Sequence, residues 1–322
     1  MRQLVALDLG GTFCRLGRFA LGVGSEPELV AVDSIETISL SSFRRLMEWV
    51  ENNNTLAGMD DIECLAVAVP GAVEDRTFSQ PVNIPWDVSL LEAGPLAEKT
   101  PTVLLLNDFV AQGLAIETVA GRRTITILDG GGSSGGAVAV IGVGTGLGKA
   151  AVIYSARGRP MIMPSEGGQA SFSPETEEEF EFARLMCSRL GRRYLNWDRV
   201  LSGGGLSDLH TFLTGVKVVP SAIMAQPSEN SVTVEWFARL LGRACRNYVL
   251  ETLTIGGLFF TGGVLQRNPL IVRHSAFRQA FHDAPGRHGT LLSSTPVRLI
   301  MDPNAGLRGA ALAGAIGLED GA

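Results

Sequence analysis

The sequence predicts an α/β protein built from two domains of related design. Predicted strands and helices alternate along both halves of the 322-residue chain, which is long enough for two buried cores. Each half also contains the same kind of glycine turn after an apolar strand. Asp8–Thr12 follows Leu4–Leu7 in the first half, and Gly142–Gly148 follows Ala137–Ile141 in the second. The recurrence indicates that the second domain repeats the plan of the first.

Both glycine turns are typical of sites that hold phosphate. Glycine lets the backbone approach a ligand closely and turn its N–H groups outward, and such groups bind anions. Two turns of this kind indicate two lobes that grip one polyphosphate. The candidate phosphate contacts are Gly10, Gly11, Thr12, Gly144, Thr145 and Gly146. For each turn taken alone, an ordinary glycine-rich β-turn is the alternative.

Two other kinds of glycine loop do not fit the second half. Gly130, Gly132 and Gly135 have the spacing of the dinucleotide fingerprint, but a strand follows them where that fingerprint needs a helix. We therefore expect a flexible hairpin loop there. A Walker phosphate loop is excluded because Val143 stands where its first glycine belongs and Ala150 where its Ser or Thr belongs. The second turn is thus expected to be a hairpin.

Two aspartates that follow buried strands are candidates for the chemistry. A carboxylate beside phosphate-binding amides needs a cation, so we expect Asp8 to hold Mg²⁺ through water; a turn-capping Asp is the alternative. Asp108 follows the strand Val103–Leu106 and is placed to take the proton from a hydroxyl that attacks a γ-phosphoryl group. The alternative is an Asn107-Asp108 pair that caps the next helix.

Further polar residues in predicted loops indicate a substrate with several hydroxyl groups. A polyol needs hydrogen-bond acceptors as much as donors, and several side-chain oxygens are expected to converge on one pocket. The candidates are Asn83, Glu166, Gln169 and Asp198.

The composition argues against several classes of partner. The net charge of −6 comes without a block of Lys or Arg, so nucleic acid and acidic membrane surfaces are not expected as partners. Cys14, Cys64, Cys187 and Cys245 are far apart and form no C-x-x-C pair, which predicts reduced thiols in a cytoplasmic protein. A core strand begins directly after Met1, so we expect no signal peptide.

The alternation of elements also predicts where the domains divide. We expect a small domain of residues 1–118 plus 303–322 and a large domain of residues 119–302. The closing helix, rich in Ala and Gly, is expected to dock back on the first domain. Within the large domain, Ser173–Glu175 predicts the start of a helix that runs to about Leu195.

The ordered set of motifs resembles the bacterial glucokinase family of the actin–hexokinase superfamily. The likeness runs over nearly the whole chain, and the order of the motifs makes it specific. The residues that carry it are Asp8–Thr12 with Arg15 and Leu16; Pro70-Gly71; Asn83 with Trp86; Asn107–Phe109; Gly144–Gly148; Glu166–Gly168; Arg199–Gly203; Gly256-Gly257 with Gly262-Gly263; and Asn304 with Gly306-Leu307.

The resemblance implies a two-domain actin/hexokinase-like fold, which is a duplicated ribonuclease H-like fold with an interdomain cleft that closes on sugar. It implies ATP-dependent phosphorylation of glucose at the 6-hydroxyl, the entry to glycolysis, with Asp108 as the general base. Asn107 and Glu166 would bind sugar hydroxyls, and Gly262-Gly263 would lie near the adenosine. Since family members are commonly dimers, a homodimer is also implied. The alternatives are a kinase for another hexose or amino sugar and a non-catalytic sugar sensor.

Three residues depart from the family pattern. Gln169 replaces a His that would touch the sugar, Asp198 replaces a Glu, and Phe13 replaces a small polar residue, usually Asn. None of the changes falls on Asp108, so we expect the transfer chemistry to survive. One lost or lengthened hydrogen bond costs about 1–3 kcal/mol, or roughly ten- to a hundredfold in affinity. Sugar affinity or choice is therefore expected to shift.

Overall fold

A computed structural model describes residues 2–22, 25–59, 61–133, 135–225 and 231–320 of the chain. Over these residues the chain forms three sheets, flanked by helices. The strands are β1 (Arg2–Leu9), β2 (Phe13–Leu21), β3 (Glu28–Glu36), β4 (Cys64–Val69), β5 (Val73–Glu74), β6 (Phe78–Ser79), β7 (Val88–Ser89), β8 (Thr102–Asn107), β9 (Thr124–Leu128), β10 (Val138–Val143), β11 (Leu147–Tyr154), β12 (Pro160–Ser165), β13 (Gly257–Thr261) and β14 (Val297–Ile300).

The helices alternate with these strands in both halves of the chain, as the sequence predicts. They are α1 (Phe43–Glu51), α2 (Gly94–Lys99), α3 (Asp108–Ala115), α4 (Val119–Arg122), α5 (Glu177–Leu190), α6 (Trp197–Val200), α7 (Gly203–Thr214), α8 (Pro220–Ala225), α9 (Val232–Thr252), α10 (Gly263–Arg267), α11 (Leu270–Arg273), α12 (Ser275–His282), α13 (Arg287–Ser294) and α14 (Ala305–Asp320). None of the helices in the described part of the chain has the length and hydropathy that crossing a bilayer requires.

The chain divides into two compact units. Unit 1 takes the residues up to Arg123 together with those from Asp302 onward, and unit 2 is Thr124–Met301. The first boundary thus falls after Arg123 and not after residue 118, because α4 packs on α3 and α14 within unit 1. The second boundary falls before Asp302, so Asp302 belongs to unit 1 and not to the large domain as predicted.

Unit 1 is built on a five-stranded sheet in the order β3-β2-β1-β4-β8. β1, β4 and β8 run parallel, while β2 and β3 are antiparallel additions. β4 is apolar and buried along its whole length, which suits a central parallel strand. Because parallel strands end at the same edge of a sheet, the residues that follow β1, β4 and β8 are neighbours.

α14 completes the core of unit 1, which confirms that the closing helix docks on the first domain. Leu307, Ala310 and Ala311 of α14 are fully buried against small and apolar side chains of β1, β4 and α3. The approach to α3 is so close that a Cβ on Gly309 would collide with the backbone carbonyl of Ala111. The Ala and Gly content of this helix therefore has a packing reason.

Unit 2 repeats the plan of unit 1. Its six-stranded sheet has the order β12-β11-β10-β13-β14-β9. The first five strands match β3-β2-β1-β4-β8 in direction, with two antiparallel strands followed by three parallel ones. The glycine hairpins β1–β2 and β10–β11 occupy equivalent places, so the predicted duplication is confirmed.

The hairpin predicted between β9 and β10 is wrong. β9 pairs antiparallel with β14 at the far edge of the sheet, and the glycine loop crosses back from there to β10. The loop lies against other backbone: the N–H of Gly132 donates to the carbonyl of Ser294 at 2.8 Å, and a Cβ on Gly130 would clash with that carbonyl. Glycine here permits close packing of backbones. A strand follows the loop, as expected, and not the helix of a dinucleotide site.

The predicted start and end of α5 are also corrected. Thr176, not Ser173, is the N-cap, because its side chain accepts the N–H of Glu179. The helix ends at Leu190 rather than near Leu195, because Gly191 adopts a left-handed conformation that stops it.

The close packing of α14 predicts the effect of a single methyl group. Gly309→Ala is expected to lower the Tm, since overpacking against a rigid carbonyl costs about 1–3 kcal/mol and outweighs the better helix propensity of alanine. Gly317→Ala is the matched control in the same helix, because its added methyl meets only the flexible end of the Leu104 side chain. Calorimetry should give a Tm for Gly317→Ala at or above that of the parent. Equal Tm values for the two variants would contradict the packing account.

Candidate active site

Three parallel strands of unit 1 bring the first group of predicted residues to one edge. The register pairs Asp8 of β1 with Ala68 of β4, and Val69 of β4 with Asn107 of β8. Asp8 and Asn107 therefore lie at the carboxyl edge of the sheet, where ligands of open α/β sheets bind. Asp108 follows directly as the first residue of α3.

The turn between β1 and β2 is held by a residue that the sequence analysis did not identify. The hydroxyl of Thr37 donates to the carbonyl of Gly10 at 2.7 Å, and its backbone N–H donates to the carbonyl of Thr12 at 2.9 Å. Thr37 is buried, whereas Gly11 is half-buried and Thr12 is exposed. The turn is thus fixed from behind while its tip faces solvent. No local signal pairs Thr37 with a turn so far away in the sequence.

Asp8 is buried beside this turn, opposite Arg15 of β2. Burial raises the pKa of the Asp8 carboxyl, and the Arg15 guanidinium, 3.8 Å away, opposes this shift. A Cβ on Gly306 of α14 would lie 2.7 Å from Oδ2, so a glycine of α14 leaves room for the carboxylate. The raised pKa means that the carboxylate charge is incompletely compensated in the ligand-free protein. An added cation would compensate it.

Asn107 caps α3, so the capping alternative is correct for that residue. Its Oδ1 accepts the N–H groups of Phe109 and Val110 at 2.9 and 3.2 Å, and its Nδ2 donates to the carbonyl of Gly71 at 2.8 Å. Asp108 is half-buried, and its Oδ1 accepts the N–H of Phe109 at 2.9 Å. The helix dipole favours a negative charge at this first position. Capping by Asn107 therefore places the Asp108 carboxyl group at the sheet edge.

Asn83 lies on an exposed loop of unit 1 that is anchored by an aromatic side chain. Trp86 is buried, and its Nε1 donates to the carbonyl of Leu40 at 3.1 Å. The neighbouring Ile84 is buried as well, while Asn83 is exposed. The anchors fix the backbone and leave the Asn83 side chain available to a ligand.

The second glycine turn closes β10 and β11 in unit 2. Val143 pairs with Leu147, and the N–H of Gly144 donates to the carbonyl of Gly146 at 2.9 Å. Thr145 is exposed at the tip, as Thr12 is in the first turn. The two turns are therefore alike in structure as well as in sequence.

Two neighbouring segments hold the second turn. Oδ1 of Asp198 accepts the N–H of Leu147 at 2.8 Å, and the N–H of Gly203 donates to the carbonyl of Gly144 at 3.0 Å. Asp198 is expected to contact sugar, but one of its carboxylate oxygens is turned toward the turn. Gly203, which is part of a family motif in the sequence but was not expected to contact the turn, therefore supports it as well.

Glu166 and Gln169 lie on a short 3-10 turn beside the same hairpin, and both are exposed. Oε1 of Gln169 accepts Nδ2 of Asn196 at 2.6 Å, and Oδ1 of Asn196 accepts the N–H of Arg199 at 3.0 Å. Asn196 is buried and caps α6, so it fixes the Gln169 amide with its oxygen inward. Gln169 stands where the family pattern has His, and its NH₂ group remains to donate hydrogen bonds to a ligand.

Gly262 and Gly263 follow β13, next to the second turn. β10 and β13 are parallel neighbours, with Gly142 paired with Thr261. Gly262 has a φ of 94°, and a Cβ on it would lie 2.5 Å from the carbonyl oxygen of Val143. A side chain is therefore excluded where this backbone passes the hairpin.

The structure thus forms two groups of predicted residues, one in each unit. Unit 1 brings together Asp8, the first turn, Asn107 and Asp108; unit 2 brings together the second turn, Glu166, Gln169, Asp198 and Gly262-Gly263. Within the described ranges, no cluster of three or more His, Cys, Asp or Glu side chains is placed to hold a metal. The four cysteines are all free thiols.

A family model described as Glucokinase matches residues 4–315. The chain belongs to the glucokinase family. The glucokinase of Caulobacter sp. (strain K31) is 30% identical over 321 residues, which cover 95% of this chain and 93% of that protein. The glucokinase family consists of sugar kinases, so the chain is assigned to the sugar-kinase transferases.

Solved structures with the same fold include two glucokinases in complex with ligands. The glucokinase of Balamuthia mandrillaris in complex with glucose has a TM-score of 0.81 at 18% identity, covering 98% of this chain and 94% of that one. A ROK family glucokinase from Streptomyces griseus in complex with glucose and AMPPNP has a TM-score of 0.65 at 18% identity, covering 98% and 100%. At these identities the likeness establishes the actin–hexokinase fold.

The burial of Asp8 predicts a gain in stability when its charge is removed. Because its folded pKa is raised, the folded protein loses stability as the pH rises above the ordinary carboxyl pKa of about 3.9. At pH 7 the ionised side chain is therefore destabilising. Asp8→Asn is expected to raise the Tm of the ligand-free protein by about 2–4 °C, the shift produced by about 1 kcal/mol. Calorimetry at pH 7 measures it, and the gain should shrink as the pH approaches 4.

The matched control for this variant is Asp61→Asn. Asp61 is an exposed aspartate of the same unit, so its replacement removes the same charge without relieving burial. Its Tm should stay close to that of the parent. A Tm for Asp8→Asn no higher than that of Asp61→Asn would mean that Arg15 compensates the carboxylate fully.

Proposed function

We propose that this chain transfers the γ-phosphoryl group of ATP to the 6-hydroxyl of glucose. The observation that carries the proposal is Asp108, an aspartate on the first turn of α3 at the carboxyl edge of three parallel strands, in a chain of the glucokinase family. The relatives with glucose and with glucose and AMPPNP support these two substrates.

Asp108 acts in this proposal as the general base. The sugar O6 forms a bond to the γ-phosphorus while the bond from that phosphorus to the β,γ-bridging oxygen breaks, and ADP leaves. The proton of the 6-hydroxyl passes to the Asp108 carboxylate. The N-terminal end of α3 favours a negative charge at this position, and the bond from the Phe109 N–H to Oδ1 fixes the orientation of the carboxylate.

The two glycine turns supply the phosphate contacts. Gly10, Gly11 and Thr12 act from unit 1, and Gly144, Thr145 and Gly146 from unit 2, through backbone N–H groups and the threonine hydroxyls. Gly262-Gly263 is proposed to lie near the adenosine, because these residues follow the strand that pairs with β10 beside the second turn. The rigid support of both turns favours phosphate binding, since little ordering is needed when the ligand arrives.

Asp8 is proposed to hold Mg²⁺ through water. A single buried carboxylate with a raised pKa fits this ion, which usually takes one or two carboxylates, waters and substrate phosphates rather than a cage of protein ligands. When bound, Mg²⁺ neutralises charge on the transferring phosphoryl group.

The sugar hydroxyls are proposed to bind to Asn83, Asn107, Glu166 and Gln169. Asn107 retains one amide N–H beyond the one that it donates to the carbonyl of Gly71, and Gln169 presents an NH₂ group that Asn196 orients. Asp198 is a further proposed sugar contact, and its Oδ1 also accepts the N–H of Leu147.

The proposal includes a cytoplasmic location, where ATP and free thiols are both found. The homodimer implied by the family resemblance stays a prediction.

Replacing the base tests the mechanism. Asp108→Asn keeps an oxygen that can accept the Phe109 N–H, so the variant should fold and bind glucose as the parent does. Its kcat should fall by about 10²–10⁴, since an amide cannot take the proton. A coupled ADP-release assay with calorimetric glucose binding measures both quantities. Asp87→Asn, an exposed aspartate of the same unit, is the control. Substantial turnover in Asp108→Asn would overturn the base assignment.

A sugar panel tests the choice of substrate. Gln169 in place of His, and its bond to Asn196, give a specific reason to compare glucose with mannose, fructose, glucosamine and N-acetylated sugars. We expect glucose to be among the best substrates by kcat/KM in the ATP-coupled assay. Another sugar far ahead of glucose would make the chain a kinase for that sugar. Binding of sugar without transfer from any nucleotide would make it a sensor.

A further inference from the structure

Thr37 contacts the first glycine turn at two backbone carbonyl groups. Its hydroxyl donates to the carbonyl of Gly10 at 2.7 Å, and its backbone N–H donates to the carbonyl of Thr12 at 2.9 Å. Gly11 lies between these two points, and the N–H of Gly10 closes the turn on the carbonyl of Phe13 at 2.9 Å. Because Thr37 is buried, both of its contacts lie on the side of the turn that faces the protein.

The bound carbonyl groups determine where the N–H groups of the turn point. In a planar trans peptide, the C=O and the N–H of the following residue point in opposite directions. The carbonyl of Gly10 points to the buried Thr37 hydroxyl, so the N–H of Gly11 points away from it, to the side that meets solvent. The Thr37 hydroxyl thus aims the Gly11 N–H out of the turn, which is the direction that an anion needs.

The segment that begins at Thr37 also holds the loop of Asn83. Thr37–Ser39 is a short 3-10 turn that ends at Leu40, whose N–H donates to the carbonyl of Thr37 at 3.1 Å. The carbonyl of Leu40 accepts Nε1 of Trp86 at 3.1 Å, and Trp86 lies in the same loop as Asn83. A continuous series of hydrogen bonds therefore joins the loop to the glycine turn.

Core packing makes this connection rigid. Leu40, Ile84 and Trp86 are at most 9% exposed and lie in one apolar cluster of unit 1. Leu9, the residue before the glycine turn, is fully buried in the same cluster. The turn and the loop are thus fixed to each other through the core as well as through the segment Thr37–Leu40.

We propose that Thr37 is a positioning residue that aims the Gly11 N–H at nucleotide phosphate, and that the segment Thr37–Leu40 fixes the distance between this turn and the Asn83 loop. Correct spacing of the two elements brings the sugar hydroxyl in line with the γ-phosphorus, and a misplacement of about 1 Å costs about a hundredfold in rate. The inference rests on the proposed function for the identity of both ligands, but its hydrogen bonds can be tested without any ligand.

Removal of the Thr37 hydroxyl tests the first part of the inference. Thr37→Val keeps the branched shape but leaves the Gly10 carbonyl without this donor, so the Kd for AMPPNP with Mg²⁺ should rise about tenfold. The Kd for glucose should change less than about twofold. Thr37→Ser keeps the hydroxyl and should restore the AMPPNP Kd to within about threefold of the parent. Isothermal titration calorimetry measures these values, and an unchanged AMPPNP Kd in Thr37→Val would overturn the inference.

Thr100→Val is the matched control for a lost threonine hydroxyl. Thr100 is a buried threonine of the same unit, and its hydroxyl donates to the carbonyl of Leu96 at 2.7 Å. It precedes β8 and so lies at the edge of the sheet opposite to Asn107. Thr100→Val should lower the Tm as Thr37→Val does, since each variant loses one hydrogen bond, but it should change neither Kd nor kcat. If Thr37→Val does not fold, Thr37→Ala removes the hydroxyl without adding bulk and takes its place.

Combining Thr37→Val with Trp86→Phe tests the shared support. Trp86→Phe removes the donor to Leu40 but keeps a ring in the core, so it should raise the Kd for glucose about fivefold and leave that for AMPPNP within about twofold. Each single variant should lower kcat about tenfold. Because either change releases the same spacing, kcat of the double variant should lie no more than about threefold below that of the slower single variant. Independent effects would multiply to about a hundredfold, which would contradict a shared support.

Hydrogen exchange tests the contacts independently of ligands. In the ligand-free protein, the Gly10 amide should exchange at least about tenfold faster in Thr37→Val than in the parent and Thr37→Ser, and the Leu40 amide should do so in Trp86→Phe. Unchanged exchange of either amide would overturn the inference. Faster exchange of both, in a protein that phosphorylates no sugar of the panel, would sink the proposed function and keep the support.

Discussion

Parallel pairing of three strands in each unit determines where the candidate residues at the strand ends lie. In unit 1 the register of β1, β4 and β8 sets Asp8 and Asn107 at one edge, and in unit 2 the pairing of β10 with β13 sets the second turn beside Gly262. A slip of one residue would turn Asp8 to the opposite face of the sheet. The continuous apolar burial of β4 and β10 prevents such a slip, because both faces of these strands are packed. The core packing that fixes the strand register therefore also fixes the positions of the candidate ligand-binding residues.

Glycine supports this arrangement through close packing rather than through flexibility. At Gly306 and Gly146 the missing side chain makes room for a carboxylate, Asp8 in one unit and Asp198 in the other. At Gly262 it lets one backbone pass another. The two carboxylates differ in their environment: Asp8 is buried with a raised pKa, while Asp198 accepts a backbone N–H. Asp8 is therefore suited to binding a cation, and Asp198 to supporting the second glycine turn.

Residues that follow strands were predictable from the sequence, and residues that act across the fold were not. Asp8, Asp108 and both hairpins were identified because an apolar run and a glycine pair are local signals. Thr37 and Asn196 were missed because their hydrogen bonds join segments with no shared sequence pattern. The same reason explains why β9 was wrongly paired with β10, since β14 lies far along the chain and competes for it. Asp198 was found, but the direction of its carboxylate depends on a residue 51 positions away.

The docking of α14 on unit 1 has a consequence for the order in which the two units fold during synthesis. Unit 1 is discontinuous, and the whole of unit 2 is translated before residues 305–320 emerge. At translation speeds of about 5–20 residues per second, the apolar faces of β1 and β4 remain uncovered for roughly ten seconds or more before α14 is synthesised. Unit 2, whose strands are contiguous in the chain, can complete its sheet first. The middle of the gene therefore encodes the first domain able to finish folding, and the start of the gene encodes the last.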